Sequence, residues 1–275
     1  MTKPEPKIPP HHQAVLERFI AACRADETIL AAFLGGSYVR GAADEHSDLD
    51  LYLVTTDAGF EGFCARKDAF VRQLGEPVFI EDFHIPSMVF YVLADGAEGE
   101  IGFGPQSRIE SIYRGPHQVL LDKAGVLSGI SFAGHEPDPL EQVEKLRCLV
   151  AWFWHDMSHF ITALGRGQLW WAVGQLEALR SMCVNLARLK YNFADPDAGE
   201  EPYFKIEQAL PVEQLSALQA TFCPLEAEAL LESCRAVVRF YRELAIPLAR
   251  EHGLDYPEAL ERVMMSRLEN LRSQS

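Results

Sequence analysis

Residues 34–54 read LGGSYVRGAADEHSDLDLYLV. Ahead of them an apolar run, Ile29 to Leu34, is stopped by Gly35-Gly36-Ser37. A polar loop follows, carrying Arg40, Gly41, Asp44, Glu45 and His46. From Asp48 to Val54 the chain alternates and is rich in Leu, Tyr and Val, which predicts a strand. Side chains two apart on a strand share a face. Asp48 and Asp50 therefore project together, and their like charges repel. A divalent cation between them resolves that repulsion, because Mg²⁺ prefers one or two carboxylates plus substrate phosphates. Gly35-Gly36-Ser37 predicts a tight turn poor in side chains. Its backbone N–H groups and the Ser37 hydroxyl are suited to face a phosphate.

Working outward, residues 11–25 show helical spacing at Val15, Phe19, Ile20 and Cys23. His11-His12 at its start reads as a solvated helix end. Strands are expected at about 28–34 and 48–56. Residues 59–74 fit one helix, with Phe60, Phe63, Phe70 and Val71 as its apolar face, broken by Gly75-Glu76-Pro77. A short strand over 78–83 and a buried strand over 87–93 follow. Ala94 to Gly99 has hairpin turn chemistry, with a return strand from Glu100 to Phe103. A short helix over 106–113 and a last strand over 117–122 complete this half. Beyond a loop rich in Gly, Ser and Pro (125–139), the apolar period changes from two to about 3.6 residues. This divides the chain into a sheet-bearing domain, 1–135, and a helical bundle, 136–275.

In the bundle, a helix over 140–164 places Leu146, Val150, Phe153, Met157 and Phe160 on one face and Trp152, His155, His159, Thr162 and Arg166 on another. His155 and His159 stand at i, i+4, a chelating spacing, but the sequence offers no evident third ligand. After the Gly165-Arg166-Gly167 turn, a helix over 168–191 has Leu169, Val173, Leu176, Cys183 and Ala187 as its expected core stripe. Arg180 on this helix suits either a phosphate or a structural ion pair. Residues 1–10 carry four prolines and read as a loose tail, and 192–202 as a polar loop. Further helices are expected at about 211–221, 225–250 and 257–272.

The 275-residue chain is 48% hydrophobic and 24% charged, a core-forming composition. Its net charge is −15, the opposite of a broad nucleic-acid-binding surface, and suits a cationic small acceptor. None of the six cysteines forms a C-x-x-C pair, so they read as thiols in a reducing compartment rather than a disulfide framework or zinc site. The N-terminus has no apolar signal region and no apolar run is long enough for a membrane span, so a cytoplasmic protein is expected.

Gly36-Ser37, then Ser47-Asp48-Leu49-Asp50 some ten residues on, resembles the signature of the nucleotidyltransferase superfamily that includes DNA polymerase β and the antibiotic nucleotidyltransferases. With the Gly99-to-Phe103 strand and the Arg166-Gly167 turn between long helices, the chain looks like the two-domain lincosamide and aminoglycoside enzymes. The resemblance implies an α+β fold: a mixed sheet with flanking helices carrying catalysis, and a helical bundle binding the acceptor. It implies an enzyme that moves an NMP, AMP from ATP or another NTP, to a hydroxyl of a small molecule and releases pyrophosphate. Two Mg²⁺ ions would be held by Asp48, Asp50 and a third carboxylate, for which Glu100 is the first choice and Glu98, of the same strand parity, the second. Glu100 would also accept the hydroxyl proton. Gly36, Ser37, Arg40, Ser47 and Arg180 would contact the nucleotide. A homodimer is expected, with neither nucleic acid nor membrane as partner. The competing readings are a nucleotide-binding antitoxin or sensor without transfer, and an adenylyltransferase that modifies protein hydroxyls.

Overall fold

A computed structural model of the chain describes residues 8–132, 134, 138–191 and 201–271. The tail through residue 7 and the loop over 192–200 lie outside the described residues. The chain divides into two compact units, Met1–His135 and Glu136–Ser275. No helix among the described residues is long and apolar enough to cross a membrane.

The first unit opens with α1 (Pro10–Ala25), which buries Val15, Leu16, Phe19, Ala22 and Cys23 along one stripe. Then come β1 (Ile29–Leu34), the single turn α2 (Gly36–Val39), β2 (Leu49–Thr55), α3 (Phe60–Cys64), α4 (Lys67–Val71), β3 (Pro77–Glu81), β4 (Met88–Leu93) and β5 (Glu98–Pro105). A 3₁₀ turn over Gln106–Ser111 leads to β6 (Gln118–Asp122). The six strands form one mixed sheet in the order β3-β4-β5-β2-β1-β6. β2 and β5 run parallel at its centre, and the other neighbours are antiparallel. Parallel strands need a long crossover, and here it consists of α3, α4 and the β3–β4 hairpin.

Alternation sorts the side chains of the central pair. Leu49, Leu51 and Leu53 of β2, with Ile101 and Phe103 of β5, join the larger core that also holds Val15, Phe19, Phe63 and Phe70. Asp50, Tyr52 and Val54 take the opposite parity. Tyr52 and Val54 enter a smaller aromatic core with Ala31, Phe33 and Phe132. Phe33 stacks on Tyr52 at 5.1 Å between ring centroids. The central strands β1, β2 and β5 are therefore largely buried on both faces except where the carboxylates emerge, whereas the edge strands β3 and β6 are half-buried or exposed.

Two expectations change here. The single helix over 59–74 is broken in two, because Arg66 leaves helical geometry (φ −123°, ψ 13°). Its guanidinium is drawn to Asp26, at 2.6 Å, and to the Thr28 hydroxyl, at 2.8 Å. The return strand begins at Glu98, opposite Val92, so Glu98 belongs to β5 rather than to the turn.

The second unit is a helix bundle of α5 (Pro139–Gly165), α6 (Leu169–Tyr191), α7 (Ile206–Ala209), α8 (Val212–Gln219), α9 (Ala227–Glu251) and α10 (Glu258–Asn270). Asp138 caps α5 by accepting from the Leu140 N–H, and Pro139 fills the first turn, where a missing N–H costs nothing. Its core centres on Phe153, stacked on Tyr241 at 3.6 Å, with Trp154 meeting Tyr241 edge-on. The Tyr241 hydroxyl donates to the Val150 carbonyl at 2.8 Å, which satisfies a buried polar group. Of the stripe expected on α6, Leu176, Cys183 and Ala187 are buried and Leu169 packs against the core, whereas Val173 is exposed and Ala172 and Leu179 are buried in addition. The helix expected over 211–221 proves to be α8, preceded by the short α7.

Candidate active site

The parallel register of β2 and β5 sets Asp50 directly beside Glu100. Glu100 is thereby placed next to the carboxylate it was expected to join. The following residue of like parity, Gly102, is paired with Tyr52, and a methyl group there would lie 2.6 Å from the Tyr52 ring. The missing side chain lets the ring lie across β5, and the Tyr52 hydroxyl donates to Glu100 Oε1 at 3.1 Å. Tyr52 was not singled out in the sequence, and its position two residues beyond Asp50 was the available signal.

Asp48 is exposed at the mouth of β2, whereas Asp50 is half-buried. Burial first, then the charges of Asp48 and Glu100, push the Asp50 carboxyl up to about 7, against an opposing pull from Arg40 and the Ser37 N–H. Glu100 is also raised, chiefly by burial, with the Tyr52 hydrogen bond opposing. Three carboxyls crowded together, with Asp50 and Glu100 pushed toward their protonated forms and all three offering only oxygen donors, fit a hard divalent cation. Asp48, Glu98 and Glu100 also line a cleft of about 330 Å³, whose apolar wall includes Phe79, Phe83 and Phe90. Glu98, the second choice, is exposed on the same strand parity as Glu100.

The turn before β2 is built against Asp50. Gly35 N–H donates to the Asp50 carbonyl at 2.9 Å. Gly36 has φ +60°, and a Cβ there would stand 1.5 Å from Asp50 Oδ2. Only glycine fits both demands. Its N–H donates to the Tyr113 hydroxyl at 3.1 Å. The Ser37 hydroxyl is buried with no hydrogen-bond partner, an orphan suited to a phosphate oxygen.

Two nucleotide candidates are engaged locally. The Ser47 hydroxyl accepts from the Asp44 N–H at 2.9 Å, within its own loop. Arg180 lies buried in the helical unit, where Nε donates to the Thr221 hydroxyl at 2.9 Å, a terminal nitrogen donates to the Thr221 carbonyl at 2.8 Å, and another pairs with Glu177. Of the two readings open for Arg180, this geometry matches the ion pair. His12 corrects an expectation: it is buried, not solvated, with Nδ1 2.6 Å from the Tyr38 hydroxyl. It thus ties α1 to the turn that carries Ser37. Burial and the adjacent His11 lower its pKa, and the Asp48 and Asp95 charges oppose them. Nothing in the local sequence distinguished it from a surface histidine.

The sequence profile of the streptomycin adenylyltransferase family matches residues 11–271, nearly the whole chain. The chain belongs to this family. It is accordingly a nucleotidyltransferase of α+β architecture. No curated protein matches this adenylyltransferase-family chain. Among solved structures it is similar to an aminoglycoside 6-adenyltransferase from Bacillus subtilis, with 15% identity over 98% of this chain and 99% of that one and a TM-score of 0.45. A nucleotidyltransferase-like protein from Exiguobacterium sibiricum 255-15 matches at 10% identity over 84% and 74%, with a TM-score of 0.38.

Proposed function

We propose that this chain transfers the nucleoside monophosphate of ATP to a hydroxyl of a small cationic acceptor of aminoglycoside or lincosamide type and releases pyrophosphate. The observation that carries this reading is the pairing of Asp50 with Glu100 on parallel strands, beside a turn whose Ser37 hydroxyl is buried and unpartnered.

Asp48, Asp50 and Glu100 are the residues that would hold Mg²⁺, two ions in this reading. Bound there, Mg²⁺ would neutralise triphosphate charge and lower the pKa of the attacking hydroxyl. The chain's own groups do the rest. Ser37 Oγ donates to a phosphate oxygen, and the Arg40 guanidinium, close enough to act on Asp50, offsets phosphate charge. Glu100 takes the acceptor's hydroxyl proton. In the metal-free chain, burial raises the affinity of this carboxylate for a proton. The acceptor oxygen forms a bond to the α-phosphorus as the bond to pyrophosphate breaks. In this reading the helical unit is the acceptor-binding part and the enzyme acts as a homodimer.

The test is to incubate the protein with ATP, Mg²⁺ and a panel of aminoglycosides, lincosamides and hydroxylated metabolites, and to read products by mass spectrometry. A nucleotidylated small molecule is expected. Asp50→Asn should lower kcat by at least about a hundredfold, since such charge stabilisation is worth several kcal/mol. Undiminished turnover in that variant would remove the assignment. Label appearing only on protein would move it to protein modification, and tight ATP binding without transfer would move it to a sensor.

A further inference from the structure

The exposed face of α5 carries a second cluster of ligating groups, within the helical unit and unused by the proposed transfer. His155 and His159 are one helical turn apart, with ring centroids at 5.3 Å. The structure supplies the third donor that the sequence did not make evident. Asp156 lies beside them, its Oδ1 3.0 Å from His155 Nδ1. One ligand atom from each of the three residues falls within 4.8 Å of the others.

We propose that His155, His159 and Asp156 form a binding site for a first-row transition ion of the Zn²⁺ class. Four ligands about 2.1 Å from a tetrahedral ion stand roughly 3.4 Å apart, so the present spacing closes by side-chain rotation alone. Both imidazoles are exposed and able to make that movement. Asp156, on the same helix, is more buried, with only 23% of its side chain accessible, and gives the site a fixed point. The Trp152 ring packs edge-on against His155 at 5.6 Å and narrows that imidazole's range. Three protein ligands leave a fourth position for water or another small donor. Donor chemistry separates this site from the carboxylates of the sheet. Imidazole nitrogen suits Zn²⁺, Ni²⁺, Co²⁺ and Cu²⁺, whereas an all-oxygen set suits Mg²⁺.

The full-length protein, freed of metal and returned to saturating Mg²⁺, is titrated with Zn²⁺ by calorimetry and with Co²⁺ by visible absorption. One ion per chain is expected, with a ligand-field spectrum of nitrogen and oxygen donors. The double variant His155→Gln/His159→Gln should bind at least tenfold more weakly, because losing even an outer partner of a ligand costs roughly that much. Asp156→Asn should bind more weakly and shift the Co²⁺ spectrum. Asp50→Asn should bind Zn²⁺ as the parent does. Circular dichroism checks that the variants fold, as the exposure of both histidines leads one to expect. Absence of binding in the parent, unchanged affinity in the double variant, or a thiolate charge-transfer spectrum from the cysteines would each overturn the proposal.

Discussion

Asp50 concentrates the site's electrostatics in one side chain. Its carboxyl titrates at about 7 in the folded metal-free chain, against an ordinary value of 3.8. Between those values the folded state keeps a proton that the unfolded state has released. The resulting stability is complete below the ordinary value and is lost as pH rises toward about 7. Asn at this position does not titrate. In the presence of a chelator, thermal melts of Asp50→Asn should therefore gain on the parent as pH is raised from about 4 to about 8. A constant difference across that range would contradict the buried-carboxylate account. Tyr52 offers a second residue-scale test. Its hydrogen bond holds the Glu100 pKa below what burial alone would give. Tyr52→Phe should raise that pKa, move the acid limb of the kcat profile to higher pH, and cost about 1 kcal/mol of stability. An unshifted limb would separate Glu100 from the proton transfer.

The turn and the strand it feeds form one device, in which α2 begins on a glycine with positive φ pressed against the Asp50 carboxylate. Gly36→Ala should cost about 1–3 kcal/mol in backbone strain. It should also displace Asp50, so that urea melts show a modest loss while kcat falls by about a hundredfold or more. Equal activity per folded molecule would show that the close approach is dispensable. This device was legible in the sequence, because Gly-Gly-Ser and Asp-x-Asp are local patterns whose spacing carries the geometry. Glu100 was legible as a carboxylate in an apolar strand returning from a hairpin, but parity left Glu98 open beside it, since the pairing of β2 with β5 is a long-range event. What stayed hidden depends on tertiary context. Arg66 breaks a helix to reach Asp26 and Thr28, His12 is buried by Tyr38, and on α6 Ala172 goes inside while Val173 stays exposed. In each case the local pattern fitted a simpler answer, and packing between distant segments overrode it.

Over the whole molecule, a net charge of −15 creates a field that attracts a cationic acceptor and repels ATP. The second-order rate constant for the acceptor, kcat/KM, should fall as ionic strength rises from about 0.01 to 0.15 M, across which the Debye length shrinks from roughly 30 to 8 Å. The constant for ATP should fall less or rise. Parallel salt responses for both substrates would show that local contacts, not the overall field, govern encounter. The crossover between β2 and β5 bears on how the molecule comes into being. The strands that carry Asp50 and Glu100 are separated in sequence by two helices and a hairpin. Their pairing has to close that loop before any contact rewards it, which makes such contacts slow to form. The carboxylates also repel until something neutralises them. In refolding, the β1–β6 pairing has still more chain to close, and the β2–β5 pairing knits after the local β3–β4 hairpin. Until it does, β2 presents an unpaired apolar edge to other nascent chains.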